Sequence, residues 1–336
     1  MKNLIRNLKV PTGNICVMMG EKDLPIEYLS IGDYGKDHNI KADFLGLNKE
    51  IKGVTTNEIM SLSEKWVITI SSQYGCSMNC SMCDVPRVGK GVNATYNDLT
   101  NQLLNAIKLH PEITHTKRLN VHYARMGEPT FNTSILEHAK KLKEIIKPHL
   151  GDSLVHPVIS TMLPKSRRVH LENFIFDWCH IKNTEFKGDA GIQFSINSTD
   201  NNQRKIIFSN NSLDLFDISD IGERMPNPIG RKYTLNFALT DDSIINAKRL
   251  HQLFDPNKFM VKITPIHITA ACKDNGIKTT GGYDTYIPYK KVEQELKAEG
   301  FDVLVFIPSK DEDDSLITCG NAILSGSTPK TNYEEV

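Results

Sequence analysis

The chain lacks a surplus of either charge: Lys plus Arg number 40 and Asp plus Glu number 40 in 336 residues. That balance removes the basic excess by which composition announces a nucleic-acid-binding protein, and leaves only a local basic groove open to that role. No apolar run approaches the ~18 residues a membrane helix requires, and residues 1–4 lead into no signal-peptide core. The expectation is a soluble, cytoplasmic protein with no membrane partner. Internal repeats and low-complexity tracts are missing too. So is an even, well-spread set of cysteines: of the 7 present, three are Cys76, Cys80 and Cys83. This excludes a secreted disulfide framework and points to metal or thiol chemistry in a reducing compartment. What the chain has is length, enough for one large or two ordinary domains with a sizeable core.

From about Trp66 onward, short β-branched runs alternate with helical patterns, the signature of parallel strands joined by crossover helices. Strands are expected at 66–71, 118–124, 154–160, 191–196, 233–239, 259–266 and 301–307. Helices are expected at 98–109, 134–147, 169–181, 242–254 and 289–299, the last stopped by Gly300. At least six such units imply an α/β chain whose parallel sheet curls into a full or partial barrel, with its chemistry at the C-terminal strand ends. The barrel core is expected over 61–310, a small N-terminal accessory region over 1–60, a C-terminal cysteine-bearing loop over 311–326 and a polar, disordered tail over 327–336.

Directly after the first strand, Cys76, Cys80 and Cys83 form a C-x3-C-x2-C triplet. Three thiolates this close can hold three irons of a four-iron cubane and leave the fourth iron open for chemistry. A structural zinc site completed by a distant His or Asp, or free buried cysteines, is the alternative reading. Zinc of that kind would be coordinatively closed, and no second Cys/His pair lies nearby. Just after the second strand stands Met126-Gly127-Glu128-Pro129, followed by Asn132.

Together the two motifs resemble the radical S-adenosylmethionine superfamily. The resemblance implies a [4Fe–4S] cluster on Cys76, Cys80 and Cys83, S-adenosylmethionine (SAM) bound at the open iron, and Gly127 and Glu128 holding the methionine amino group. A closer resemblance, over roughly 58–326, is to the RlmN/Cfr-type methyltransferases, which methylate carbon 2 or carbon 8 of an adenosine in rRNA or tRNA. Its residues are Ser71-Ser72-Gln73-Tyr74-Gly75-Cys76 and Ala124-Arg125-Met126-Gly127-Glu128-Pro129. It implies a partial (β/α)6 radical-SAM barrel, with Ser160, Ser195, Asn197 and His267 as further cofactor contacts. The family has histidine where Asn197 stands and asparagine where His267 stands.

The acidic run 311–314 leads to Cys319-Gly320, which resembles the family segment whose cysteine is itself methylated and adds to the base through its methyl carbon. The resemblance therefore makes Cys319 catalytic, and Glu58 the matching proton acceptor. Read alone, Cys319 could be a small core residue and the acidic run a solvated face. A second family cysteine, which resolves the protein-to-base crosslink, is replaced here by Thr69; Cys16, Cys179 and Cys272 are the substitutes at hand, with Cys272 the best placed. Arg87, Lys90, Lys165, Arg167, Arg168, Arg204 and Lys205, at the expected catalytic end, are candidate RNA-binding cations or else solvated charges. The implied partners are RNA and a reductant such as flavodoxin, and the implied state is a monomer. Two further readings stay open: a radical enzyme acting on a nucleoside, metabolite or peptide, and a non-catalytic iron–sulfur sensor.

Overall fold

The computed structural model describes residues 3–33, 40–41, 59–279, 282–283 and 286–336. It begins with an antiparallel meander, β1 (Leu4–Val10), β2 (Gly13–Met19) and β3 (Pro25–Ile31). In β2 and β3 consecutive residues are buried, because one face meets the helices and the other a small apolar cluster of Leu8, Ile15, Leu29, Leu316 and Ile323. Burial on both faces erases alternation, which is why the sequence shows no clear period there. The accessory region is thus an extension of the main sheet. After the two-residue β4 (Ile40–Lys41), β5 (Trp66–Ile70) runs antiparallel to β3, with Thr69 opposite Leu29.

A side hairpin, β6 (Gln73–Gly75) and β7 (Lys90–Asn93), brackets the cysteine triplet. Then strands and helices alternate: α1 (Tyr96–Lys108), β8 (Leu119–Tyr123), α2 (Ser134–Leu150), β9 (Val155–Thr161), α3 (Arg168–Thr184) and β10 (Gly191–Ser195). Two helices absent from the sequence reading follow, α4 (Asn201–Ile207) and α5 (Leu215–Arg224), each capped by an aspartate, Asp200 and Asp214. The remainder is β11 (Tyr233–Leu239), α6 (Ala247–Leu253), β12 (Phe259–Pro265), α7 (Ala270–Asp274), α8 (Ile287–Ala298), β13 (Asp302–Ile307), α9 (Lys310–Asp314) and β14 (Glu334–Glu335). Helix α6 is shorter than expected because Ser243 closes a turn on Thr240 and Asn246 supplies the cap.

Strands β5, β8, β9, β10, β11, β12 and β13 lie side by side in chain order and all run parallel. That is one strand more than the (β/α)6 expectation, and among the described residues the sheet stays open, with β14 at one edge and β4 at the other. The expected disordered tail is a second departure. Glu334 and Glu335 pair with Lys9 and Leu8 of β1, and Arg6 Nε meets Glu335 Oε1 at 2.8 Å. A polar sequence suits an outer strand, since pairing there uses the backbone alone. Among the described residues no helix is long and apolar enough to cross a membrane.

The outward side chains of the parallel strands, such as Ile68, Val121, Phe194, Leu235 and Val261, pack with Leu103, Leu142, Ile175 and Trp178 of the helices into one continuous core. Alternation then sends Thr69, His122, Ser160, Gln193, Ser195, Asn236 and Lys262 to the concave face, where each is half-buried.

Candidate active site

The triplet lies on the loop after β6, at the C-terminal end of the parallel strands. Two other segments, the end of α4 with its following loop and the two ends of α7, hold that loop in place. Asn211 Nδ2 donates to Met78 O (2.9 Å), Ser81 N to Ile207 O (2.9 Å), Asn275 Nδ2 to Ser81 O (2.7 Å) and Thr269 Oγ1 to Met82 O (2.8 Å). Just past the triplet, buried Asp84 accepts from the N–H groups of Ala270 and Ala271 at the start of α7. Burial raises the Cys76 thiol to about 11 and moves Cys80 and Cys83 upward as well, while the N–H groups of Met78 and Val85 favour charge on the Cys76 and Cys83 sulfurs. Thiols so desolvated are inert alone and become thiolates only on a metal, and N–H groups aimed at sulfur are what a cluster requires. Among the described residues no three acidic, His or Cys side chains stand where one ion would bind them all. A closed zinc site gains no support from that, whereas a cubane asks each thiol for a different iron.

Gly127 has φ +95°, and a Cβ there would lie 2.5 Å from the Gln73 side chain, so the bend after β8 requires glycine. Glu128 beside it is buried, and its carboxylate is engaged: Oε1 accepts from Thr130 N and Oγ1 (3.1 and 2.7 Å), and Oε2 from Met162 N (3.0 Å). Burial raises its pKa against the pull of Thr161, Met162 and Thr130. This carboxylate joins the loop after β8 to the end of β9. Ser160 and Ser195 reach the ends of β9 and β10 on the concave face, and among the described residues no hydrogen bond ties either hydroxyl. Asn197, at φ +58°, accepts from Ala238 N and so binds the end of β10 to β11. Glu58 lies outside the described residues.

Cys319 is exposed at the same mouth. Its loop is fixed on both sides: Asp84 N donates to Gly320 O (2.8 Å), and Thr318 Oγ1 donates to Asp313 Oδ1 (2.8 Å). Protein crowding pushes the Cys319 thiol upward, while the charges of Lys262 and Arg125 pull it down; Cys80 and Cys83 in turn feel a charge on Cys319. His267 Nδ1 stands 3.2 Å from Asp313 Oδ1, and Tyr283 donates to Asp313 Oδ2 (3.0 Å). Burial would raise Asp313, but His267, Thr318 and Tyr283 hold it below the usual 3.8. A carboxylate lowered in the folded state contributes stability that is present above its unfolded pKa and lost as pH falls through the folded value. Asp313→Asn should therefore flatten the fall in Tm over about pH 5 to 3, read by thermal scans across that range.

The three spare thiols differ in their distance from this mouth, and Cys272, buried as it is, lies against the triplet loop itself. Cys16 lies buried against Asn7 and Tyr28, Cys179 against Tyr233, and Cys272 points its Sγ at the carbonyls of His267 and Met82. The cations expected to meet RNA divide in two. Arg204 is buried and donates to the carbonyls of Ser195, Ile196 and Leu213, Arg168 is held by Glu172, Asp217 and Asp220, and Arg87 by Asp274. Each of these three is engaged within the fold. Lys90, Lys165, Arg167 and Lys205 are exposed, with no ion pair among the described residues, and Arg167 covers the Phe131 ring at 5.9 Å.

Sequence reading missed the polar concave wall, the Glu27–Arg125 ion pair and Asp313 as the partner of His267. The signal for the wall was present: Gln193, Asn236 and Lys262 alternate with large apolar residues in strands that would otherwise be apolar on both faces.

No protein-family model matches the chain. The dual-specificity RNA methyltransferase RlmN of Campylobacter lari is 33% identical over 121 residues, 36% of this chain and 33% of that protein. Its counterpart from Campylobacter fetus subsp. fetus is 24% identical over 293 residues, 84% of this chain and 77% of that one. The chain spans about a third of the length of the first of these relatives that it matches. Among solved structures, a radical SAM methyltransferase from Sphaerobacter thermophilus superposes with a TM-score of 0.66 at 18% identity, covering 96% of this chain and 81% of that one.

Proposed function

We propose that this chain, a distant homologue of the RlmN methyltransferases with the fold of a radical SAM methyltransferase, is itself such an enzyme and transfers a methyl group by way of Cys319. The observation that carries the reading is the meeting of two cysteine-bearing loops: Asp84 N, next to Cys83, donates to the carbonyl of Gly320, next to Cys319, at 2.8 Å, although more than two hundred residues separate them.

Cys76, Cys80 and Cys83 would hold a [4Fe–4S] cluster, which supplies one-electron cleavage of SAM when bound. Asn211, Thr269 and Asn275 fix the loop from outside, so the three thiols are held in place before metal arrives. Gly127 and Glu128 form the bend that receives the cofactor, with the carboxylate securing the bend through Thr130 and Met162. Ser160 and Ser195 have free hydroxyls for its polar groups, and Asn197 and His267 border the same space. Cys319 is an exposed thiol on an anchored loop at the mouth, where the surrounding protein raises its pKa and Lys262 and Arg125 oppose that rise, and it is the sulfur placed to accept a methyl group.

The substrate reading favoured is an RNA adenosine, supported by what the homologues' names say they modify and by four exposed, unpaired cations at this end of the molecule. The test is anaerobic reconstitution with iron and sulfide, then incubation with methyl-labelled SAM and total RNA, followed by nucleoside mass spectrometry. Label in a methyladenosine is the expected result; label only in small molecules or peptide would assign a different substrate. In the same preparation the Cys76, Cys80 and Cys83 triple alanine variant should lose the brown absorbance and all 5′-deoxyadenosine. A variant that kept the cluster would overturn the ligand assignment.

A further inference from the structure

The concave wall of an ordinary α/β barrel is closed by apolar side chains. Here it is polar and unsatisfied. Strand register puts Ser195, Asn236 and Lys262 side by side on β10, β11 and β12, with Gln193 one step below Ser195. Asn236 Oδ1 is buried with no hydrogen-bond partner among the described residues. Lys262 has neither a hydrogen bond nor a carboxylate partner among the described residues; its ammonium lies over the Phe306 ring, 5.4 Å from the centroid. The charged neighbours that act on it are Cys319 and a second cation, Arg231. His122, further along the wall, is surrounded by Lys262, Arg231, Lys65 and Arg118; burial first and then these charges push it down to about 3, so it adds no charge at neutral pH.

An ammonium withdrawn from water normally has an acid beside it, because desolvation without compensation is costly. Half-buried Lys262 has instead an aromatic face and, in register beside it, an amide whose Oδ1 has no partner among the described residues. We infer that Lys262 and Asn236 form the floor of the substrate site, where Lys262 takes an oxyanion of the substrate, phosphate or carboxylate, and Asn236 reads a neighbouring hydrogen-bonding edge. The inference rests on the proposed methyltransferase reading and names the chemistry of its substrate: an anionic group bound below Cys319. An amide beside an ammonium suits a nucleotide, whose base offers paired donors and acceptors and whose phosphate offers the charge.

The full reconstituted chain is titrated calorimetrically with adenosine 5′-monophosphate, adenosine and succinate. A phosphate on the floor makes the monophosphate bind at least about tenfold more tightly than adenosine, and Lys262→Met removes that difference while Lys262→Arg keeps most of it. A carboxylate site gives the same Lys262 dependence for succinate and not for the monophosphate. Asn236→Leu should weaken adenosine and monophosphate equally. Binding of all three that ignores Lys262, or no binding of any at millimolar concentration, overturns the inference. Circular dichroism and Tm of each variant separate lost binding from lost fold. Heat of binding reports the floor and 5′-deoxyadenosine reports the radical chemistry, so either can fail alone.

Discussion

On the proposed route through Cys319, its replacement by alanine should lower methyl transfer at least about a thousandfold, because the carbon to be delivered would have no sulfur on which to reside. The same change leaves Tm, iron content and cluster absorbance at native values. Cys319 is exposed, packs into none of the apolar clusters and donates no hydrogen bond among the described residues, so its removal opens no cavity and orphans no partner. The check is a methyl-transfer assay beside intact-peptide mass spectrometry of the C-terminal fragment. Native protein should carry one extra methylene unit there and the variant none. Native turnover with a bare Cys319 thiol throughout would remove the residue from the reaction.

Breaking the Glu27–Arg125 pair costs about 3–5 kcal/mol. Glu27, on β3 of the meander, and Arg125, in the loop after β8, form a buried ion pair, with Arg125 Nε 2.7 Å from Glu27 Oε1. The other oxygen, Oε2, accepts from Leu324 N of the C-terminal segment (3.2 Å). One carboxylate therefore joins the meander, the barrel and the segment that carries Cys319. Arg125→Met leaves a buried, uncompensated carboxylate and should move the urea midpoint far down. Glu27→Gln with Arg125→Met should be more stable than Arg125→Met alone, because the stranded charge is gone. Equal midpoints for native protein and Arg125→Met would show the pair to be without effect. The pair thus adds to the apolar packing of Leu316 and Ile323 against the meander, which also ties that sheet to the segment carrying Cys319.

Most of the parallel sheet and its helices was legible because strands and helices have different periods. β11 matches its expected bounds, and β5, β8, β9, β10, β12 and β13 differ by one or two residues. The meander was not legible, since Ile15, Cys16, Val17 and Met18 are all buried and show no alternation. Glu334 and Glu335 were hidden for the opposite reason: their contribution to the sheet is backbone, which composition does not report. At the site, the cysteine spacing and the Gly127-Glu128 bend were readable as local motifs. Which cations are free was not, because the partners of Arg204 lie 8 to 9 positions away and two of the three carboxylates on Arg168 lie 49 and 52 positions away.

The loop that carries the cysteine triplet also bears on the order of assembly. Its anchors lie far along the chain: Ile207 is 126 residues beyond Ser81, and Asn275 is 194 beyond it. Contacts of such separation form late, after the intervening chain has paid its closure entropy. A chain growing from its N-terminus therefore exposes Cys76, Cys80 and Cys83 well before Thr269, Asn275 and Gly320 exist to enclose them. On the proposed reading, loading of the triplet with iron would belong to the finished polypeptide, while the nascent one carries three accessible thiols that an oxidant can couple wrongly. Expression in air should accordingly yield molecules crosslinked within the triplet, while slow, oxygen-free synthesis preserves it.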